Sequence, residues 1–314
     1  MSQVSPVGDD NDRNLYVPTD AKGVEYYLDQ EFQWPLPRGA GHPGEWLTSD
    51  EKLAGPNLSG LPLFSLDALL ENIGERIFLA EIAPGSGAEA NLPGVVEVDS
   101  ARLVRATPWD VKAAANFALD CAERVLHDPA ALRLPSGATL ADLLQAAHSW
   151  LDNSTGDTSL LGRISRIATA RRLRRRAGAL GDLAFSVTVA DEAADVDALD
   201  DPDWEALAAT RDAVLSAVEA IRHEAFPQLL ESENVRYAED GGTLEPPPEA
   251  VDTPWGSFVA GRRAGIVPAW VAARDAADRA RNAAEDANGH EAGEAERAWQ
   301  RSRLFEALGA RPAG

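Results

Sequence analysis

The chain has 314 residues, 45% of them apolar, with 51 acidic against 29 basic side chains and a formal net charge of −22. That is enough apolar material for one large domain or two ordinary ones. The charge disfavours capture of free nucleic acid through phosphate contacts and docking on an anionic membrane surface, and it suits a basic macromolecular partner.

Residues 1–13 are polar and are expected to form a disordered tail. Their sequence lacks the basic and apolar regions of a signal peptide, and no apolar run reaches membrane-spanning length, so the expected location is the cytoplasm. From Asn14 to about Ala106 the texture is that of a small α+β domain. Short runs with strand character, Arg76–Ile82, Val95–Val98 and Arg102–Arg105, alternate with Gly and Pro. One helix is predicted among them, capped by Ser65, with Leu66, Leu69, Leu70 and Ile73 on one face.

At Thr107 the texture becomes helical and stays so to residue 314. Thr107-Pro-Trp-Asp110 offers a capping hydroxyl, a proline for the first helical position and a first-turn acid. Val111, Ala114, Ala118, Cys121, Ala122 and Val125 then follow at helical spacing. Thr139 and Asp142 start a second helix, with Leu140, Leu143, Leu144, Ala147 and Leu151 on its buried side. Asp201-Pro202 opens a third, carrying Leu207, Val214, Ala217, Val218 and Ile221. A Pro/Gly-rich linker covers about 239–254. An Ala seam follows (Trp270, Ala273, Ala277, Ala280, Ala284, Ala287), flanked by expected Arg274–Asp278, Asp275–Arg279 and Arg281–Glu285 pairs. Asn288-Gly289 is expected to end that helix. A last helix carries Ala295, Trp299, Leu304, Phe305 and Leu308. The predicted fold is thus an α+β N-terminal domain followed by a mainly α helical bundle, mostly helical overall, with a charged insertion at about 152–206.

Motifs for chemistry are sparse. Cys121, the single cysteine, lies in an apolar stripe and reads as a core residue, so it offers neither a nucleophile nor a disulfide. His42, His127, His148, His223 and His290 are scattered, with no pair at metal-binding spacing. His148 reads as a helix-surface residue, and a metal site would need distant residues to converge. Asp195-x-Asp197 has the start of a calcium loop, but Asp200 stands where glycine is required and Ala206 where the bidentate Glu belongs. Gly85-Ser-Gly87 lacks the helix of a dinucleotide fingerprint, and no phosphate-binding loop or nucleophile elbow occurs. No catalytic residue, cofactor or metal ligand is assigned.

The charge is unevenly distributed. Residues 107–180 carry ten basic and seven acidic side chains, owing to Arg163, Arg166, Arg171, Arg172, Arg174, Arg175 and Arg176, while both flanks are strongly acidic. Downstream lie Asp191, Glu192, Asp195, Asp197, Asp200 and Asp201. The expectation is that the Arg run and this acidic run pair as two halves of a charged hairpin. The acidic residues are also the candidate surface for a basic protein partner. Arg171, Arg172, Arg174, Arg175 and Arg176 form an alternative patch for nucleic acid or an acidic partner.

Arg102-Leu-Val-Arg105, followed by Trp109, Phe117 and Asp120-Cys-Ala-Glu-Arg-Val-Leu126, resembles a signature of uncharacterised actinobacterial proteins. The helical half of those proteins is similar to a family assigned to immunity in bacterial polymorphic toxin systems. Ala269-Trp270 and Trp299-Gln-Arg-Ser-Arg-Leu304 resemble that family's C-terminal pattern. Trp34-Pro35, Gly44-x-Trp46, Gly60-Leu61 and Phe78-Leu-Ala-Glu81 resemble the small domain that precedes such helices. Where relatives carry Gly-Leu-His, this chain has Gly60-Leu61-Pro62. No activity follows from the motif itself, and the resemblance implies a stoichiometric binder. Two other classes stand beside it: a subunit that binds through the Arg run, and an enzyme whose site is assembled from dispersed Asp, Glu, Arg and His.

Overall fold

The computed structural model describes residues 14–27, 30–39, 41–49, 60–126, 139–152, 202–225 and 268–309. They fall into two compact units, Met1–Asp110 with Trp299–Gly314, and Val111–Ala298.

The first unit is built on strands: β1 (Leu15–Thr19), β2 (Val24–Tyr27), β3 (Gln30–Gln33), β4 (Leu47–Thr48), β5 (Leu61–Phe64), β6 (Arg76–Ile82), β7 (Ala88–Leu92), β8 (Val95–Val98) and β9 (Ser100–Ala106). Seven of them form an antiparallel sheet in the order β4-β9-β6-β1-β5-β8-β7, while β2 and β3 make a separate two-stranded ribbon. β1 pairs with β6 along its whole length but meets β5 only at Tyr16 and Phe64. Pro18 and Pro62 account for this. Each lies two residues from that contact and has no N–H to donate, so the β1–β5 ladder cannot extend past them. Val17, Leu63, Phe78 and Leu103 are fully buried in the core with Trp34 of the segment after β3. Helix α1 (Leu66–Glu71) starts where expected, with the Ser65 hydroxyl accepting from the N–H of Ala68.

The helix expected from Thr107 starts later. Thr107 donates from both its N–H and its hydroxyl to the carbonyl of Ile77. The buried Trp109 ring donates to the carbonyl of Gly74 at 3.1 Å. These bonds hold 107–110 to the sheet-bearing unit, and α2 runs over Val111–Val125. At the other end of the chain, Arg301 pairs with Asp67 at 3.1 Å, and the segment from Trp299 belongs with the strands rather than with the helices.

The second unit contains α2, α3 (Leu140–Asp152), α4 (Pro202–Ala225), α5 (Ala269–Asn288) and the first part of α6 (His290–Ala307). α3 has the expected capping box: Thr139 N–H donates to Asp142, and Asp142 N–H donates to the Thr139 hydroxyl. All five apolar residues predicted to face inward are buried. α4 packs on α2, α3 and α5. Every residue from Glu205 to Ile221 except Arg211 is buried, so this helix is enclosed almost all round. The Ala seam of α5 is buried from Ala273 to Ala284, and left-handed Gly289 (φ 83°) ends the helix. Ala287 and Ala295, expected in the seam and on the last helix, are exposed. The expected pairs along α5 do not form. Arg279 instead reaches Glu205 on α4 at 3.1 Å, Arg274 pairs with Asp275, Arg281 pairs with Asp278, and Glu285 faces His290. A buried carboxylate on a neighbouring helix is a stronger attractor for a guanidinium than a solvated one a turn away. No helix among the described residues is long and apolar enough to cross a membrane.

Candidate functional site

Where α2 lies against α3, three ligand-capable side chains converge. Asp120 and Glu123 stand three residues apart on α2, which places them on one face. His148 comes from α3. One carboxylate oxygen of each acid and a ring nitrogen of the histidine all lie within 4.8 Å of one another. The frame is rigid on both sides: Cys121 and Ala122 next to Asp120, and Ala147 next to His148, have no exposed surface. The His148 Nε2 atom is itself buried and makes no hydrogen bond, and the nearest Glu123 oxygen is 3.6 Å away. Glu123 is largely open to solvent, so the cluster has one accessible side. Arg124, next in sequence, turns across to the buried Glu296 of α6 at 2.7 Å. The three-residue spacing of Asp120 and Glu123 is legible in the sequence. The approach of His148 depends on how α3 packs.

Each unit also buries carboxyl groups. Glu25, on β2, accepts from the indole N–H of Trp34 at 2.6 Å, and its other oxygen has no partner. Burial pushes its carboxyl well above the usual range, against the smaller opposing effect of the Trp34 hydrogen bond. Buried Glu97 lies close enough to act on Tyr27, whose hydroxyl is raised first by burial and then by Glu97 and Glu25. In the helical unit, Glu205, Asp212 and Glu219 are buried at seven-residue intervals along α4. Burial raises Asp212 to about 6, although Arg211 pairs with it at 2.7 Å. Burial likewise raises Glu205, opposed by Arg279, whose guanidinium also stacks on Trp204 at 5.0 Å.

Cys121 is fully buried, as its stripe predicted. His42, His223 and His290 are exposed. His127, the Arg run from Arg163 to Arg176, and the acidic candidates Asp191, Glu192, Asp195, Asp197, Asp200 and Asp201 lie outside the described residues. Trp46 and Glu81, from the segments that resemble the small domain, both meet Arg102 of the other resembling stretch. Arg102 lies 4.4 Å over the exposed Trp46 ring, and Glu81 accepts from two of its nitrogens. Exposed acids gather at the turn between α5 and α6, at Asp286, Glu291 and Glu294. No protein-family model, no curated protein and no solved structure matches this chain.

Proposed function

We propose that this chain is a non-catalytic, immunity-like binding protein of the cytoplasm, whose helical bundle occupies a basic macromolecular partner by charge complementarity. The observation that carries the reading is the formal charge of −22, with described acids at the α5–α6 turn exposed to solvent. A field of that sign raises the encounter rate with a cationic protein and repels polyanions. The resemblance of Asp120–Leu126 to actinobacterial proteins whose helical half is similar to the immunity family points the same way. The full burial of Cys121 supports it too, because the single thiol has no access to substrate.

The test is recovery of the partner from native lysate, followed by association kinetics at increasing salt. Association should slow steeply between low and physiological ionic strength while dissociation changes little, since screening acts on encounter. Neutralising Asp286, Glu291 and Glu294 together should reduce the salt dependence of the association rate. A complex with nucleic acid that disappears when Arg171, Arg172, Arg174, Arg175 and Arg176 are neutralised would replace this proposal with the Arg-run reading. Turnover of a small molecule with no stoichiometric partner at either salt would replace it with an enzyme.

A further inference from the structure

We propose that Asp120, Glu123 and His148 form a binding site for a divalent transition-metal ion of the zinc type, held between α2 and α3. Three observations carry it. The first is donor chemistry. Two carboxylates and one imidazole give a mixed oxygen and nitrogen set that suits zinc and its first-row neighbours better than calcium or magnesium, which prefer oxygen ligands alone.

The second is distance. Two ligands at about 2.1 Å from a tetrahedral ion stand about 3.4 Å apart. The His148 nitrogen and the Glu123 oxygen are 3.6 Å apart, too far for a good hydrogen bond and close to the edge of such a tetrahedron. All three donor atoms fit within 4.8 Å, so modest side-chain rotation closes the set around one ion.

The third is the state of His148. Its Nε2 is shielded from water yet meets no hydrogen-bond partner, which is unfavourable for a polar nitrogen and is relieved by coordination. Leu144, Ala147 and Leu151 anchor α3, while Cys121, Ala122 and Val125 anchor α2, so the ligands are held on two packed helices rather than on a loop. The outward position beside Glu123 remains for water or a ligand atom from outside the chain.

A protein this acidic gathers divalent cations diffusely, and the test must separate that background from a built site. Zinc chloride is titrated calorimetrically into the full chain at physiological salt, with magnesium chloride as the control, for the wild type, Glu123→Gln and His148→Gln. Cobalt(II) absorption provides a second readout, because a tetrahedral site with a nitrogen ligand gives intense visible bands. The expected result is one stoichiometric zinc site without a magnesium counterpart, weakened by an order of magnitude or more in both variants. The thermal midpoint of the wild type should rise with zinc, and that of His148→Gln should not. Glu123 is 69% exposed, so Glu123→Gln is expected to fold, and its titration decides the matter by itself. Zinc uptake no stronger than magnesium uptake overturns the proposal, as does a folded Glu123→Gln that binds zinc as the wild type does. Neither result bears on recovery of a basic partner.

Discussion

Replacing Glu25 with Gln isolates the energetic consequence of a carboxyl enclosed in the N-terminal unit. Glu25 is 1% exposed, bonds through one oxygen to Trp34, and has no partner for the other. Its folded-state pKa is raised, chiefly by burial. A raised pKa means that the folded chain holds the proton more tightly than the unfolded chain. The associated stability is therefore fully present below the unfolded value of about 4.3 and is lost as pH rises through the folded value. Within that window wild-type stability falls by about 1.4 kcal/mol per pH unit from this group alone. Gln keeps an acceptor for the Trp34 N–H, and its amide N–H stands, like the carboxyl O–H of the protonated wild type, where no partner exists. Glu25→Gln should therefore match the wild type most closely near pH 4 and gain on it by about 1.4 kcal/mol per unit as pH rises through the window. Urea denaturation at a series of pH values, followed through the Trp34 indole N–H resonance, measures the difference directly. A difference between the two proteins that stays constant between about pH 4 and about pH 8 would refute the reasoning.

Asp212, raised by burial to about 6, makes an analogous prediction for the helical unit. Its contribution is present below about 4 and is lost as pH rises through 6. Asp212→Asn should remove about 3 kcal/mol of pH dependence across that range, read from helix denaturation monitored by circular dichroism. An unchanged slope in the variant would mean that Asp212 is ionised and adequately solvated in the fold. Cys121→Ser places a hydroxyl in a position with no exposed surface, and it should lower stability by about 1–2 kcal/mol while leaving partner binding intact. Loss of binding by folded Cys121→Ser protein would give the thiol a role that its burial argues against.

The sequence alone was enough to place the helices and three of the nine strands among the described residues, because local rules decide them. β6 and β8 have the limits read from their apolar runs, and Ser65, the Thr139–Asp142 box and Gly289 begin or end helices as their chemistry dictates. These choices depend on residues within a turn of one another. Helix α2 is instructive because a sound local signal was overruled. Thr107 is a good cap, but Ile77 and Gly74, about thirty residues back, claim Thr107 and Trp109, and the helix cannot start until they are passed.

The convergence that makes the candidate site is non-local, and only tertiary structure decided it. Spacing put Asp120 and Glu123 on one face of α2, but nothing in the sequence brings His148 to them. That requires the rotation and register of α3 against α2, which is set by which apolar faces interlock. The same holds for the charge pairs. Local periodicity pairs Asp275 with Arg279, whereas the fold offers Arg279 the buried Glu205 of α4. Glu205, Asp212 and Glu219 stand seven residues apart, a spacing that on an ordinary amphipathic helix would face water. Enclosure of α4 on almost every side turns those acids into buried, pKa-shifted groups, and a helix cannot encode from within itself how many neighbours will surround it.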